Sequence, residues 1–276
     1  MIRSFTLWML TLGIGLAASL KADTTLSWTN NLLTVRDPRL PTGRLEIWYL
    51  EAFCRAGGHE RAWEQTKVRH QTQLLFTAPD GTELRFRTLV EPEVELLHEV
   101  RSCADGLELT FLMTNRGSQR WDIQWFQPAC IRVADFTGCD QTSYTHQSFV
   151  FTTQGLTRLD QMERTTAARY PGGQVYLPPQ IHEIDANPRP VARTRVVNGL
   201  IGCFSRDQRW ILATASSRTF ELFEGVYVCL HSDPHIGGLQ PGETRRLRQR
   251  IYLVPNDPAA LLKQYQKDFD PKPTAW

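Results

Sequence analysis

The chain has 276 residues, of which 41% are hydrophobic, 22% charged and 10% aromatic. This composition excludes an extended disordered protein and a collagen-like one, and the length is enough for one large domain or two small ones. The formal net charge is +2 with no long run of either sign, which argues against a nucleic-acid-binding surface and predicts no nucleic-acid partner.

The first 22 residues have the layout of a secretory signal peptide. Arg3 supplies a positive charge, residues 5–18 are almost wholly apolar or small, and small residues continue to Ala22. This apolar run of about 14 residues is shorter than the roughly 20 that a membrane-spanning helix needs. We therefore expect a signal peptide over 1–22, a single domain over 23–276, and a secreted or periplasmic protein with no membrane attachment after cleavage. A retained N-terminal anchor is the alternative.

Short strands dominate the rest of the chain. Apolar and polar residues alternate with period 2 over 83–89, 107–113 and 121–125, which is typical of half-buried strands. Turn residues such as Pro, Asp, Asn and Gly separate these segments. A further hairpin is predicted over 199–215, and later strands are predicted over 225–230 and 248–254.

Helical patterns occur in two places. Residues 60–67 favour a helical turn. A C-terminal helix is predicted from Asp257 as cap and Pro258 as first helical residue, with an apolar stripe of Leu261, Leu262, Tyr265 and Phe269. The sequence thus predicts an all-β protein, built as a large antiparallel two-sheet sandwich with a short C-terminal helix.

Six cysteines follow the predicted signal peptide: Cys54, Cys103, Cys130, Cys139, Cys203 and Cys229. Export would permit disulfides, but the sequence does not choose among pairings. Cys130, Cys203 and Cys229 lie in apolar, strand-like runs, where a buried free thiol is the favoured interpretation. No two cysteines have the C-x-x-C spacing, so neither a zinc ribbon nor a thioredoxin-type site is predicted.

Two segments carry a distinctive order of strand, loop and turn. A strand leads to His231, and a short loop then leads to Leu239-Gln-Pro-Gly-Glu243 before the last strand. Earlier, the Asn115-Arg-Gly-Ser turn precedes a strand that contains Gln127. These segments resemble the galactose-mutarotase-like (aldose 1-epimerase-like) family, which implies a two-sheet "supersandwich" with a sugar-binding concave face. The family has a general base Glu near the position of His231 and a general acid His near Gln127, so the chain departs from it at both.

The candidate catalytic residues are His231, Glu51 and Asp233. A His with a nearby carboxylate can be tuned toward a neutral pKa, although a metal ligand and a structural loop His are alternative interpretations of His231. The spacing of His231, Asp233 and His235 is not a recognised ligand pattern, so no metal and no cofactor are predicted. Period 2 over 44–55 places Glu51 on one face with Tyr49 and Arg55, either as a sugar-contacting patch or as a cross-strand ion pair.

The candidate substrate-binding residues are Arg55, Gln127, Arg132, Trp125 and His70. Trp offers a flat face to a sugar ring, while Gln and Arg offer fixed hydrogen-bond donors; core packing is the alternative for Trp125. His98 is interpreted as a packed core His. The Pro-rich stretch 171–190, with Asp185, Asn187 and Arg189, is predicted to pack down as a functional cover.

These observations favour an exported carbohydrate-binding protein of mutarotase-like fold, with a mono-, oligo- or polysaccharide as partner. The sequence leaves open whether the protein also processes that carbohydrate, as a lyase, an epimerase or a hydrolase. One alternative is a polysaccharide lyase that cleaves uronate-containing glycans by β-elimination, with Gln127 and Arg132 stabilising the developing charge. Another is a non-catalytic sugar-binding or assembly module. All three require Glu51, Arg55, Gln127, Arg132 and His231 to line one cavity.

Overall fold

The computed structural model describes residues 24–165, 173–182 and 184–269. The signal peptide predicted over 1–22 and part of the Pro-rich stretch lie outside the described residues. The helices are α1 (Trp63–Thr66), α2 (Ala134–Thr137) and α3 (Pro258–Asp268). The strands are β1 (Thr25–Thr29), β2 (Leu32–Arg36), β3 (Arg44–Arg55), β4 (Lys67–Val68), β5 (His70–Thr77), β6 (Glu83–Val90), β7 (Val94–Cys103), β8 (Gly106–Asn115), β9 (Ile123–Arg132), β10 (Ser148–Thr152), β11 (Gly155–Arg158), β12 (Val175–Leu177), β13 (Val196–Phe204), β14 (Trp210–Ser216), β15 (Thr219–Gly225), β16 (Cys229–Pro234) and β17 (Thr244–Pro255).

The strands form two antiparallel sheets. One sheet has eight strands in the order β1-β2-β3-β9-β16-β15-β12, with β4 also paired to β3. The other has nine strands in the order β11-β10-β13-β14-β17-β8-β7-β6-β5. The predicted all-β, two-sheet architecture with a short C-terminal helix is confirmed, and the alternating patterns noted in the sequence fall on β6, β8 and β9.

The main core lies between the two sheets. Phe126 of the eight-stranded sheet stacks on Phe53, with ring centroids 5.3 Å apart, and meets Phe111 of the nine-stranded sheet edge-on at 5.2 Å. Tyr49 packs against Phe86 across the same space. Each fully buried side chain of this kind contributes about 1.5–3 kcal/mol. Because these residues fill the inner face of the eight-stranded sheet, the alternate residues of its strands face outward.

A second cluster covers the outer face of the nine-stranded sheet. There Leu261, Leu262, Tyr265 and Phe269 pack against aromatic residues of β10 and β13, which is the stripe predicted for α3. The side chain of Asp257 accepts a hydrogen bond from the Ala260 amide at 2.9 Å and caps the helix as predicted. Among the described residues, no helix is both long enough and apolar enough to cross a bilayer.

Strand β3 departs from the predicted alternation. Leu50 has a φ of 54°, and the pairing with β9 slips between Tyr49 and Ala52. This irregularity is a β-bulge, which changes the face on which the following residues lie. The prediction that Glu51 shares a face with Tyr49 is therefore wrong: Tyr49 is buried in the core beside His98, whereas Glu51 lies at the outer face.

The strand predicted over 225–230 is also wrong. Gly225 ends β15, and the chain turns back before β16 begins at Cys229. Val228 has a φ of 54°, and its amide donates to the Gly225 carbonyl at 3.2 Å. A Cβ on Gly225 would lie 2.8 Å from the Cys229 Sγ, so this close approach favours glycine. As a result, His231 lies within a strand opposite Phe223 rather than at the start of a loop.

Candidate functional site

A cleft of about 900 Å³ opens on the outer face of the eight-stranded sheet. Strands β3, β9, β15 and β16 form its floor, and residues from 56–66 and 178–189 form its walls. Five of the eight predicted site residues line it: Glu51, Arg55, Trp125, Gln127 and His231. These residues lie on three strands that are distant in sequence, so the fold brings them together.

His231 and Asp233 form a buried pair on β16. Since they are two residues apart on a strand, their side chains point to the same face. The His231 Nδ1 lies 3.4 Å from the Asp233 Oδ1, and the His231 and Asp233 side chains are 1% and 0% exposed. The imidazole stacks on Phe223, with ring centroids 3.9 Å apart. Both contacts fix the orientation of the imidazole, so its Nε2 faces Cys229 and Glu51.

The pair has perturbed acidities. Burial lowers the pKa of His231, but negative charge at Cys130 or Asp233 acts more strongly and raises that pKa well above its ordinary value. Hydrogen bonding to Cys229 and burial raise the pKa of the Cys130 thiol, so Asp233 carries the relevant charge at neutral pH. Burial raises the pKa of Asp233 to about 7, although the charge of His231 opposes this shift. The two groups therefore titrate together and hold a proton near neutral pH.

Glu51 is the most accessible acid–base group beside this pair. Its Oε2 lies 3.9 Å from the His231 Nε2, and its side chain is 31% exposed. Arg55, at the end of the same strand, donates from Nη1 toward the carbonyls of Gln65 and Lys67 at 3.3 and 3.2 Å. Gln127 is buried on the neighbouring strand, where its side-chain amide lowers the pKa of Asp233. The cleft thus holds one solvent-reaching carboxylate in front of a buried imidazole and carboxylate.

Aromatic rings form much of the apolar surface of the cleft. Trp125 stacks on Phe220 at 5.5 Å and lies 6.4 Å from Trp63. On the other side, Tyr176 stacks on Phe223 at 4.9 Å. Trp125 therefore belongs to the cleft and not to the main core. The reason is a second shift in the pairing of β3 with β9, between Cys54 and Arg55, which reverses the face of the β9 residues that follow Ile123.

The described part of the Pro-rich stretch packs over one side of the cleft. Arg189 makes an ion pair with the buried Glu221 at 3.1 Å and another with Asp185 at 3.2 Å. The side chain of Asn187 donates to the carbonyls of Gly58 and Arg61. Burial raises the pKa of Glu221, and Arg189 opposes that shift. These contacts attach the cover to both the floor and the opposite wall.

Two predicted binding residues lie outside the cleft lining. Arg132 is on β9 beyond Cys130, with its guanidinium 5.6 Å from the rings of Trp48 and Tyr227. His70 begins β5, which belongs to the other sheet, and its Nε2 lies 2.9 Å from the Leu50 carbonyl oxygen. His70 lines a neighbouring groove, which Glu51 and Arg55 also line. The expectation of one shared cavity is therefore met for Glu51, Arg55, Gln127 and His231 but not for Arg132. The binding role of His70 stays a prediction.

Several cleft residues were not predicted as site residues: Cys130, Cys229, Glu221, Tyr176, Phe223, His59 and His182. The rings of His59 and His182 stack at 3.5 Å across the wall. A signal for some of them exists in the sequence, because Glu221 interrupts an apolar strand and Cys229, His231 and Asp233 alternate along another. Polar residues at every second position of a buried strand indicate that this face of the strand lines a polar site.

No family model matches the chain, and no curated protein matches it. Solved structures that are similar include a galactose mutarotase-like protein from Lactobacillus casei, with 10% identity and a TM-score of 0.41, covering 83% of this chain and 99% of that one. A galactose mutarotase related enzyme from Lactobacillus acidophilus has 8% identity and a TM-score of 0.38, covering 83% and 97%.

A polysaccharide lyase is also similar, with 10% identity and a TM-score of 0.35, covering 83% of this chain and 32% of that one. The sequence resemblance to galactose-mutarotase-like proteins is confirmed by these similar structures. At these identities the likeness concerns the fold, and the chemistry of this chain has to be derived from its own cleft.

Proposed function

We propose that the chain binds a carbohydrate in the cleft and that Glu51 exchanges a proton with the bound sugar. The observation that carries this proposal is the 3.9 Å approach of the partly exposed Glu51 to the buried His231, inside a cleft lined by aromatic rings. A proton-transfer group must reach the substrate directly. Of Glu51, His231 and Asp233, only Glu51 has substantial exposure.

The walls and floor of the cleft suit a sugar. A pyranose ring has apolar C–H faces that pack on aromatic rings, and its hydroxyls need fixed hydrogen-bond partners. Trp125, Phe220 and Tyr176 supply the rings. Arg55 and Gln127 supply donors beside Glu51. This combination supports a carbohydrate partner more strongly than a purely apolar ligand.

His231 and Asp233 act behind Glu51. The His231 Nε2 faces the Glu51 carboxylate, with 3.9 Å between Nε2 and Oε2. Asp233 orients the imidazole through Nδ1. His231 and Asp233 are thus positioning residues for a proton transfer that Glu51 performs, because the buried strand β16 holds both groups behind Glu51.

The predicted signal peptide over 1–22 supports a location outside the cytoplasm, in the periplasm or the medium. A carbohydrate polymer or its fragments would be accessible to the protein there.

β-Elimination from a uronate-containing polysaccharide is the more specific candidate reaction. It needs a base for the proton beside the carboxylate and a donor that stabilises the resulting negative charge. The C–O bond to the leaving sugar then breaks as the C=C bond forms, and Glu51, protonated in the first step, returns its proton to the leaving oxygen. Glu51 and His231 lie next to each other in the cleft, so both can reach only one atom of a bound sugar and its immediate neighbours. An epimerase needs an acid at the ring oxygen and a base at the anomeric hydroxyl. Arg55 on the strand of Glu51 fits the role of carboxylate partner. Arg132 does not, because it lies outside the cleft.

The test combines glycan binding with the growth of ultraviolet absorbance on uronate polymers. Glu51→Gln keeps the size of the side chain but removes its basicity, so we expect activity to fall about 10²- to 10⁴-fold while glycan binding is retained. Glu46→Gln, on the same strand but outside the cleft lining, is the matched control and should keep full activity.

Each outcome has a defined meaning. Binding without absorbance growth would contradict the lyase, and polarimetry on free sugars would then test for an epimerase. Binding with neither activity would identify a sugar-binding module and remove the catalytic role of Glu51. Failure to bind any glycan would overturn the proposed function.

A further inference from the structure

Three metal-ligand side chains converge on the floor of the cleft. The Sγ atoms of Cys130 and Cys229 and a ring nitrogen of His231 all lie within 4.8 Å of one another, and all three residues are buried. Leu230 pairs with Ile131, so the antiparallel register of β9 and β16 places His231 opposite Cys130. Two adjacent central strands of one sheet therefore hold the three groups. Within the described residues, no other cluster of this kind is present.

We propose that Cys130, Cys229 and His231 bind one Zn²⁺ ion, or a similar soft cation, through two thiolates and one imidazole. Thiolate and imidazole ligands favour such cations over Ca²⁺ and Mg²⁺, which prefer oxygen. This inference goes beyond the proposed carbohydrate function and does not depend on it.

The separations of the three groups suit a tetrahedral ion. Zn–S and Zn–N bonds of about 2.3 and 2.0–2.1 Å imply ligand atoms about 3.5–3.8 Å apart. The Cys229 Sγ and the His231 Nε2 are 3.3 Å apart, and the widest separation in the group is within 4.8 Å.

The surroundings of His231 match those of a metal-bound imidazole. A ligating His usually donates its other ring N–H to a carboxylate, which fixes the ring and makes the ligand more basic. Asp233 lies 3.4 Å from Nδ1, which leaves Nε2 directed toward Cys229. Phe223 supports the ring by stacking.

Metal binding at this site releases protons. Cys130 and Cys229 each lose a thiol proton, and a protonated His231 loses the proton on Nε2, so three protons leave to water as one Zn²⁺ ion binds. The net charge of the site then falls by one unit.

Three protein ligands leave the fourth position open, as in catalytic rather than structural zinc sites. Cys130, Cys229 and His231 all line the cleft, where the Glu51 Oε2 lies 3.9 Å from the His231 Nε2. With the metal bound, the His231 Nε2 is occupied, and Glu51 remains the group that exchanges protons with a ligand in the cleft.

The experiment uses the full chain, reduced and treated with a chelator, and then titrated with Co²⁺ and Zn²⁺. We expect one equivalent of Co²⁺ to give a thiolate-to-metal charge-transfer band that Zn²⁺ abolishes, with one Zn²⁺ per chain after dialysis. Cys130→Ser and Cys229→Ser should each lose the band, while Cys103→Ser, outside the cluster, should keep it. Asp233→Asn should retain the stoichiometry but bind Zn²⁺ about 10- to 100-fold more weakly.

The wild-type titration decides the proposal even if a cysteine variant fails to fold. A reduced, folded wild-type protein that gives no charge-transfer band, or a band that survives in folded Cys130→Ser and Cys229→Ser, would overturn the site. Because no sugar is used, a failed glycan assay leaves this result unaffected, and the absence of metal leaves the glycan assay unaffected.

Discussion

His98 and His231 are both buried imidazoles, and their neighbours give them opposite acidities. The Nδ1 of His98 lies 2.6 Å from the Tyr49 hydroxyl and its Nε2 lies 2.9 Å from the Thr88 hydroxyl. Neither of these two partners is a carboxylate. Burial therefore lowers the pKa of His98 to about 3. His231 is equally buried, but the charge of Asp233 raises its pKa. The sequence correctly placed His98 in the core, because it shares a face with Val94 and Leu96.

The acidity of His98 makes stability depend on pH. Its ordinary pKa is 6.5 and its pKa in the fold is about 3, so between these values the unfolded chain binds a proton that the folded chain does not. The free energy of unfolding should therefore fall on acidification below pH 6.5, by about 1.4 kcal/mol per pH unit from this residue alone. Urea unfolding at several values between pH 7 and pH 4 measures the slope.

His98→Gln should reduce that slope by the same amount, although it will also lower stability at pH 7 through lost packing. His146→Gln is the control, because His146 is exposed and contacts Asp160 at the surface. Equal slopes in wild type and His98→Gln would show that His98 is not held neutral by burial.

At the scale of elements, the tight hairpins constrain the strands they join. Gly106 begins β8 with a φ of 135°, and a Cβ there would lie 2.0 Å from the Ile251 carbonyl oxygen on β17. Gly155, in the β10–β11 hairpin, has a φ of 92° but nothing within 4 Å of such a Cβ. Comparing a substitution at Gly106 with one at Gly155 therefore distinguishes the cost of backbone strain from the cost of a clash with a neighbouring strand.

Gly106→Ala should lower the free energy of unfolding by about 4 kcal/mol or more, because backbone strain and a clash with backbone atoms add. Gly155→Ala should cost about 1–2 kcal/mol from strain alone. Thermal and urea unfolding of both variants measure these differences. A Gly106→Ala variant no less stable than Gly155→Ala would contradict the close packing of β8 and β17.

The alternation of apolar and polar residues predicted most of the strands. It failed where a strand contains a bulge and where a turn is made of apolar residues. The pattern over 83–89 gives β6 almost to the residue, since each second side chain enters the core. Over 225–230 an equally apolar run forms a turn, because Val228 adopts a positive φ that no composition rule predicts. The bulge at Leu50 likewise moved Glu51 to the outer face, and without it Glu51 would lie in the core.

At the scale of the whole molecule, one core joins the two sheets. Side chains from both layers form a continuous cluster, so neither sheet can lose its partner without exposing aromatic residues such as Phe53, Phe111 and Phe126. We expect unfolding in urea to give coincident transitions by far-ultraviolet circular dichroism and by tryptophan fluorescence, because tryptophans lie both in the main core (Trp121) and in the cleft (Trp63 and Trp125) while the dichroism reports on both sheets. An earlier fluorescence transition would show that the surroundings of the tryptophans unfold before the sheets.

The fold class and some of the cleft residues could be predicted from the sequence, but the arrangement of the cleft could not. Glu51, Gln127 and His231 were predicted as site residues, and the fold does bring them together. Arg132 has the same character but lies past the end of the cleft. The cluster of Cys130 with Cys229 and His231 depends on the register of two strands about 100 residues apart in sequence, and short-range spacing carries no information about that register.

The position of β17 determines when the nine-stranded sheet can be completed. This strand is the last one in the described part of the chain, yet it lies between β14 and β8 in the middle of the sheet. During folding, the two halves of the sheet therefore keep open edges until residues 244–255 pair with both. Such late closure exposes unpaired strands to aggregation, and a chain truncated before β17 would leave the two halves of the sheet unjoined.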